Sequence, residues 1–251
     1  MSDQRSLSLS DRINLHTRKV HSQNHWISNI KLLVCLLDHQ LYARLVRQFY
    51  ELYKTVEDEV TRHIEAGDEA GLLLKQVAMR EIFREEAFRE DARFWCGPDW
   101  REWKESGPMK KYKEHVKELS EKEPVVLLAY LYTMYLGLFA GGQLVRRKLV
   151  KQLGFAPSSC SGGSEGLSIF TFSKPIFELK RSYHQRFDAL ELSEDVTQRI
   201  LDEAQLVFAK NLVIIADLEG LRGALWRLLI VRLWWIWMAL IAVWFMWKTL
   251  S

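Results

Sequence analysis

The sequence has few of the features that mark disulfide-bonded, zinc-binding or nucleotide-binding proteins. It contains three cysteines, Cys35, Cys96 and Cys160, and no two of them form a Cys-x-x-Cys pair. We therefore expect neither a structural zinc site nor a disulfide framework, and the cysteines fit a reducing compartment. The chain also lacks a Gly-x-Gly-x-x-Gly fingerprint, so it is not expected to bind a nicotinamide nucleotide itself. No Glu-x-x-His occurs, which argues against a ferritin-like di-iron bundle.

The net charge and the N-terminal residues give no sign of a nucleic-acid partner or of a signal peptide. The net charge is +3 with 27% charged residues, which does not indicate a nucleic-acid partner. Residues 1–10 are polar and serine-rich and lack the apolar centre of a signal peptide. We expect residues 1–10 to be a flexible N-terminus.

The long apolar run lies at the C-terminal end. Residues 233–247 carry no charge, and extending the run back to Leu228 adds only Arg232. Six of the ten tryptophans lie between Trp226 and Trp247, and tryptophan favours the bilayer interface. We expect residues 221–251 to form a membrane anchor; the alternative is a buried terminal helix of a soluble core.

The flanking charges predict how such an anchor is oriented. Arg222, Arg227 and Arg232 lie at the start of the run, whereas only Lys248 follows it. The positive-inside rule therefore places the N-terminal part in the cytosol. An anchor this close to the end of the chain is expected to insert after translation.

Apolar residues recur at helical spacing through the rest of the chain. In residues 41–64 they are Leu45, Phe49, Leu52, Val56 and Val60. Further helices are expected over residues 78–95, 110–122, 124 to beyond 149, 176–190 and 193–218, and a flexible loop over 154–166. No strand alternation is visible, so the predicted fold class is all-α, with one globular domain over residues 11–220.

Three glycines interrupt the apolar helix that follows Pro124. Gly137, Gly141 and Gly142 lie in an otherwise strongly helical pattern, and each costs about 1 kcal/mol relative to alanine. Their spacing places them on adjacent positions of the helix surface. Spacing alone favours close packing of another helix; the alternative is a large, flat ligand against the backbone.

The segment from Leu15 to Trp26 contains three histidines. A histidine can give iron an axial imidazole ligand, and Arg18, one turn before His21, is a cation that could pair with a heme propionate. His16 and His25 are equally available by type. His21 and His25 are four residues apart and could instead supply half of a metal site.

Several motifs together resemble those of the heme oxygenase family, in its order and spacing. The segment from Arg18 to Gln23 is similar to the family's proximal segment. The nine residues Tyr135 to Gln143, YLGLFAGGQ, resemble its distal-helix signature Tyr-Leu-Gly-Asp-Leu-Ser-Gly-Gly-Gln. Similar matches occur at Tyr50, Tyr53 and Glu57, at Phe170 to Phe172, at Lys180, Tyr183, Leu190 and Glu191, and at Phe208 and Asn211. The variant Leu-Phe-Ala-Gly-Gly, with a C-terminal anchor, resembles the fungal branch.

The resemblance implies a role for each matching residue. His21 would be the proximal iron ligand, and Arg18, Lys180, His184 and Tyr132 would meet the heme propionates. Gly137, Gly141 and Gly142 would let the distal helix lie over the heme face. Tyr53 and Asn211 would belong to the distal hydrogen-bond network. Asn14 stands where the family often has lysine.

The chain departs from the family at the distal aspartate. Leu138 occupies that position, and Met134 replaces a nearby arginine. The family's aspartate orders water that delivers a proton, and leucine has no hydrogen-bonding group. Either Tyr53, Asn211 and backbone groups order the water, or activity is lowered.

The activity implied is oxidative cleavage of heme b, as substrate and cofactor, to biliverdin, CO and ferrous iron with O2. Electrons would come from NADPH-cytochrome P450 reductase, at the endoplasmic reticulum membrane, in heme degradation and iron homeostasis. Lys110, Lys111 and Lys113 could dock an acidic reductase, or could simply be a solvated face. The alternative functions are a heme-binding pseudoenzyme or peroxidase-like sensor, and a structural tail-anchored adaptor without heme.

Overall fold

The computed structural model describes residues 7–152 and 165–250, except the side chains of residues 19–29, 232, 242, 243, 245 and 248–250. Within this part of the chain there are ten α-helices and no strand, which confirms the all-α class. They are α1 Leu9–Leu37, α2 His39–Ala66, α3 Glu69–Val77, α4 Glu85–Cys96, α5 Gly107–Lys122, α6 Leu128–Gly137, α7 Gln143–Gln152, α8 Ile176–Asp188, α9 Glu194–Ala216 and α10 Leu221–Leu250. Cys160 and most of the expected loop over 154–166 lie outside the described residues.

Polar side chains cap the starts of five helices, α1, α2, α3, α5 and α9. Asp38 separates α1 from α2 and accepts hydrogen bonds from the backbone N–H groups of Gln40 and Leu41. Ser193 caps α9 by accepting from Val196 N, which confirms the predicted start signal. Gly67, with φ 66°, ends α2 in the left-handed conformation that glycine adopts without strain.

The first helix begins two residues before the expected domain boundary. Ser8 caps α1, so Leu9 and Ser10 belong to the helical body. Ser10 donates from its backbone N and from its hydroxyl to Oδ1 of Asp188, at 3.0 and 2.6 Å. These bonds fix the start of α1 against the end of α8.

Two segments that the sequence pattern predicts as single helices are interrupted. Residues 78–95 divide into a 3-10 turn, Arg80–Ile82, and helix α4. The helical segment that begins at Pro124 consists of a 3-10 turn, then α6, a π-helical turn over Leu138–Gly142, and α7. A π turn inside an α-helix is uncommon and is often found at functional sites.

Helix α6 lies at the centre of the domain. Every side chain from Leu128 to Leu136 is buried, and α6 packs against α9. Helix α2 packs against α3, α4 and α5, while α1 packs against α2, α8 and α9. The helical segment Pro124–Lys151 is long and apolar enough to cross a membrane. However, 67% of its most apolar stretch of 18 residues is buried inside the protein, so the segment belongs to the core.

Helix α10 differs from the others because it leaves the domain. Its first turns contact α1, where Leu221 and Ala224 are buried. Beyond them the described tryptophans Trp226, Trp234, Trp235 and Trp237 are each more than half exposed. Residues Leu221–Ile241 form a candidate membrane span by length and composition, and only 6% of their most apolar stretch of 18 residues is buried.

Candidate active site

A cavity of about 780 Å³ opens between α1, α6, α8 and α9. Cofactor and ligand sites commonly enclose about 300–1,000 Å³ and combine apolar walls with a few polar groups. Helix α1 contributes one wall with Ile13, Asn14, Thr17 and Arg18. Helix α6 and the π turn that follows it contribute a second wall, and Phe208 of α9 adds an aromatic surface.

The wall formed by α6 and the π turn is open beside the backbone. Gly137 and Gly141 both line the cavity, and a Cβ added at either would meet no atom within 4 Å. Gly142 faces the other way: an added Cβ would lie 3.0 Å from Cδ1 of Phe170. Gly137 and Gly141 thus leave open space in the cavity, whereas Gly142 packs against the side chain of Phe170 in a 3-10 turn.

Cations form the rim of the cavity. Arg18 on α1 and Lys180 on α8 are exposed, and neither forms an ion pair with another described side chain. His184, one turn after Lys180, is half-buried; burial lowers its pKa, and the charge of Lys180 lowers it further. The rim can thus bind carboxylates, and its three residues are among those that the family resemblance implies for the heme propionates.

Tyr132 lines the cavity, but its hydroxyl already has a protein partner. It donates to the backbone oxygen of Ser10 at 2.9 Å. The ring contacts those of His184 and Phe187 edge-on, with centroids 5.9 and 5.0 Å apart. Tyr132 therefore connects α6 both to the start of α1 and to α8. This structural contact is additional to the propionate role expected from the sequence.

The structure does not bring Tyr53 and Asn211 into the lining of the cavity. The hydroxyl of Tyr53 is buried and donates to the backbone oxygen of Met134 at 3.1 Å. Oδ1 of Asn211 accepts from the hydroxyl of Tyr112 at 3.2 Å. Leu138 is also absent from the lining and packs, half-buried, against the core.

Glu57 holds the distal segment against α2 and α4. Its Oε1 accepts from the backbone N of Arg84 at 2.6 Å and from the hydroxyl of Tyr135 at 2.5 Å. Oε2 accepts from the backbone N of Glu85 at 3.1 Å. Burial raises the pKa of Glu57 to about 7, although these hydrogen bonds act in the opposite direction.

The segment Phe170–Phe172 supports the π turn from outside the cavity. Phe170 packs at Gly142, and its backbone oxygen accepts from Nε2 of Gln143 at 2.9 Å. The guanidinium of Arg84 donates to the backbone oxygen of Thr171 and lies over the ring of Phe172, 4.2 Å from its centroid. This motif is therefore structural.

Sequence reasoning missed several residues of the lining. Among them are Ile13, Thr17 and Thr133, whereas Leu136, Ala140 and Phe208 appeared within motifs but were given no role. Thr133 and Gly137 are four residues apart, and so are Gly137 and Gly141. Extending the glycine spacing by one turn would have indicated Thr133.

The fold and cavity define an all-helical protein with a flat-walled, cation-rimmed site. A heme oxygenase family model matches residues 7–217. The chain is 31% identical to a heme oxygenase of Rhodella violacea over 208 residues, 81% of this chain and 84% of that protein. It is also 31% identical to heme oxygenase 1 of Bos taurus over 217 residues, covering 85% and 72% of the two chains.

A solved structure agrees with these sequence comparisons. Heme oxygenase-1 of the cyanobacterium Synechocystis, in complex with heme, superimposes with a TM-score of 0.76 at 25% identity. The match covers 90% of this chain and all of the other. The chain therefore belongs to the heme oxygenase family, whose members are oxidoreductases that cleave heme to biliverdin, carbon monoxide and ferrous iron.

Proposed function

We propose that this chain binds heme b in the cavity between α1 and α6 and opens it with O2, yielding biliverdin, CO and ferrous iron. The observation that carries the proposal is the combination of an open glycine wall with a cationic rim. Heme is flat and largely apolar, with two carboxylates at one edge. The residues present fit that shape and charge.

The residues at the rim and walls would orient the heme. Arg18 and Lys180 would bind the propionates at the exposed edge, with His184 beside them. Gly137 and Gly141 would let one ring face approach the helix backbone. Leu136 and Phe208 would cover apolar parts of the ring and exclude water.

His21 is proposed as the axial ligand of the iron. The structure does not describe the side chain of His21. Support comes from the unbroken helix α1 and from position: residue 21 follows Arg18 by three and Thr17 by four, the spacing that repeats one helix face. Thr17 and Arg18 both line the cavity.

Product analysis tests this function directly. The full-length protein in detergent is mixed with hemin, NADPH-cytochrome P450 reductase, NADPH and catalase, and the products are separated chromatographically. The heme iron supplies the centre at which O2 is activated. Biliverdin and CO are the expected products, and recovery of intact heme after prolonged turnover would contradict the proposal.

A heme-binding pseudoenzyme or peroxidase-like sensor is the second candidate. It is favoured by Leu138, which has no hydrogen-bonding group, and by the position of Tyr53 and Asn211 outside the lining. The same experiment separates the two functions. A sensor would bind hemin in the same cavity but would release no biliverdin with a competent reductase.

The electrons are proposed to come from NADPH-cytochrome P450 reductase. The sequence contains no nucleotide fingerprint of its own, and the exposed Lys110 and Lys111 would face an acidic partner. Lys113 does not belong to that surface, because its Nζ pairs with Glu51 and Glu105 at 3.0 and 2.6 Å. Replacing Lys110 and Lys111 by glutamate should raise the KM for reductase, whereas the change Lys122→Glu on the same helix should not.

Helix α10 is proposed to anchor the protein in the endoplasmic reticulum membrane, with the domain facing the cytosol. The support is its exposed apolar surface, its tryptophans, and the excess of arginine before the run. Insertion into microsomes followed by carbonate extraction and protease digestion tests both points. Complete release by carbonate, or protection of the domain from protease, would contradict them.

A further inference from the structure

Helix α7 carries a concentration of positive charge that it does not neutralise itself. It contains Arg146, Arg147, Lys148 and Lys151 and no acidic residue. None of the four forms an ion pair with another described side chain. Helix α5, by comparison, mixes its lysines with three glutamates. The cations of α7 therefore remain available to a negatively charged surface outside the domain.

An apolar groove lies beside these cations. It runs between α1 and α7 and encloses about 230 Å³. Six of its seven lining residues are apolar, and the seventh is Lys148. Leu144, on the α7 side of the groove, is 52% exposed. Cations next to exposed apolar side chains are typical of helices that lie in the interface of a bilayer.

The cavities between α1 and the α6–α7 segment show how these helices run relative to each other. Residues 13–18 share one cavity with residues 132–141, whereas residues 30–36 share the groove with residues 144–148. The chain therefore runs in the same direction along both segments. Lys151, one turn after Lys148, consequently lies toward the C-terminal end of α1.

Helix α10 leaves the domain at that same end of α1. Nη2 of Arg227 lies 3.8 Å from Oδ2 of Asp38, the residue that follows α1. Nη1 of Arg44 donates to the backbone oxygen of Glu219, just before α10 begins. A bilayer that α10 enters would therefore begin close to the end of the domain at which α7 presents its cations.

We propose that α7, together with the groove beside it, docks the domain onto the anionic lipid headgroups of the membrane that α10 enters. The proposal rests on the membrane anchor proposed above. The four cations meet the negative headgroups, and Leu144 reaches the apolar boundary beneath them. The cytoplasmic leaflet carries negative charge, so it matches this surface. A bilayer is favoured over a soluble acidic protein because the surface adjoins the base of α10.

Lysine acetylation of the full-length protein in nanodiscs measures this docking. The protein is reconstituted into phosphatidylcholine alone or phosphatidylcholine mixed with phosphatidylserine, treated with acetic anhydride, and analysed by mass spectrometry. We expect phosphatidylserine to slow acetylation of Lys148 and Lys151 about fivefold, the effect of holding a cation at an anionic surface. Lys110 on α5 should react equally in both lipids, and high salt should remove the difference by screening the charges.

A pair of charge-matched variants separates this surface from a general effect of net charge. Arg147 and Lys151 are exposed, so Arg147→Glu combined with Lys151→Glu should leave the fold intact and abolish the lipid-dependent protection of Lys148. Lys117→Glu combined with Lys122→Glu makes the same change in charge at two exposed positions of α5. That variant should retain the protection of Lys148.

Equal acetylation of Lys148 and Lys151 in the two lipids would overturn the proposal. Protection by inorganic phosphate in pure phosphatidylcholine would assign the surface to a free anion. Protection only by a soluble reductase domain would assign it to a protein partner, and either result would also overturn the lipid assignment. A protein that does not copurify with nanodiscs would instead refute the membrane anchor itself, so the two failures are distinguishable.

Discussion

The hydroxyl of Tyr135 donates to Oε1 of Glu57 across the interface between α6 and α2. Glu57 is 5% exposed and also accepts the backbone N–H groups of Arg84 and Glu85, where α4 begins. One carboxylate therefore joins three helices, among them α6, which carries Gly137. Its protonation state should affect the stability of the whole distal segment.

Glu57 should make the stability of the protein depend on pH in a defined direction. Its pKa in the folded state, about 7, lies above the ordinary value of 4.5. Protonated Glu57 therefore stabilises the fold at low pH, and this contribution is lost as the pH rises through about 7. The difference in unfolding free energy between wild type and Glu57→Gln should fall by on the order of 2 kcal/mol from pH 5 to pH 8.

Urea denaturation of the domain at several pH values measures this difference. The exposed Glu65 on the same helix supplies the control, because Glu65→Gln should leave the pH dependence of wild type unchanged. A difference between wild type and Glu57→Gln that stays constant or grows with pH would contradict the raised pKa.

Substitutions at the two glycines of the π turn should have different effects, one on hemin binding and the other on stability. Gly141→Leu should weaken hemin binding at least tenfold with little loss of stability, because its side chain enters the cavity and glycine is a poor helix former. Gly142→Leu should instead destabilise the fold by about 1–3 kcal/mol, since it meets Phe170. Hemin titration and urea denaturation of both variants give the two quantities; equal effects at both positions would show that the two glycines share one role.

His21→Ala should abolish the six-coordinate heme spectrum, whereas His16→Ala and His25→Ala should retain it. Imidazole supplies a nitrogen ligand to iron and alanine supplies none. His16 has a different contact, because its Nε2 lies 3.3 Å from Oδ1 of Asp202 on α9. Absorption spectra of the three variants with hemin decide the matter, and an unchanged Soret band in His21→Ala would exclude His21 as ligand.

Residues 1–220, without α10, should remain soluble and bind about one equivalent of hemin. The last turns of α9 are partly buried within the domain, whereas the described side chains from Trp226 to Leu240 are exposed. Removing that exposed apolar surface should eliminate the need for detergent. Size-exclusion chromatography, circular dichroism and hemin titration measure solubility, helix content and stoichiometry. A helical fragment that still aggregates would place the domain boundary elsewhere.

Local sequence patterns were sufficient to predict much of the fold, because the hydrogen bonds of a helix join residues four apart and its buried face repeats at a fixed period. The periodicity of α2, the caps at Ser193 and the apolar character of α6 and α10 are all visible in the sequence. The interruption at Arg84 was not predictable in the same way. It depends on Glu57, 27 residues earlier, which accepts the N–H groups at the start of α4.

For the site, the sequence by itself determined which residue types are present: the cations Arg18 and Lys180, the glycines, and a leucine at position 138. Only the tertiary structure decided which of them meet. The π turn adds a residue to one helical turn, so a period of 3.6 no longer predicts which face each residue occupies after Gly137. Gly141 lines the cavity while its neighbour Gly142 meets Phe170, and Tyr53 and Asn211 form their hydrogen bonds away from the cavity. Their partners, Met134 and Tyr112, come from distant parts of the chain, so only the tertiary structure places them together.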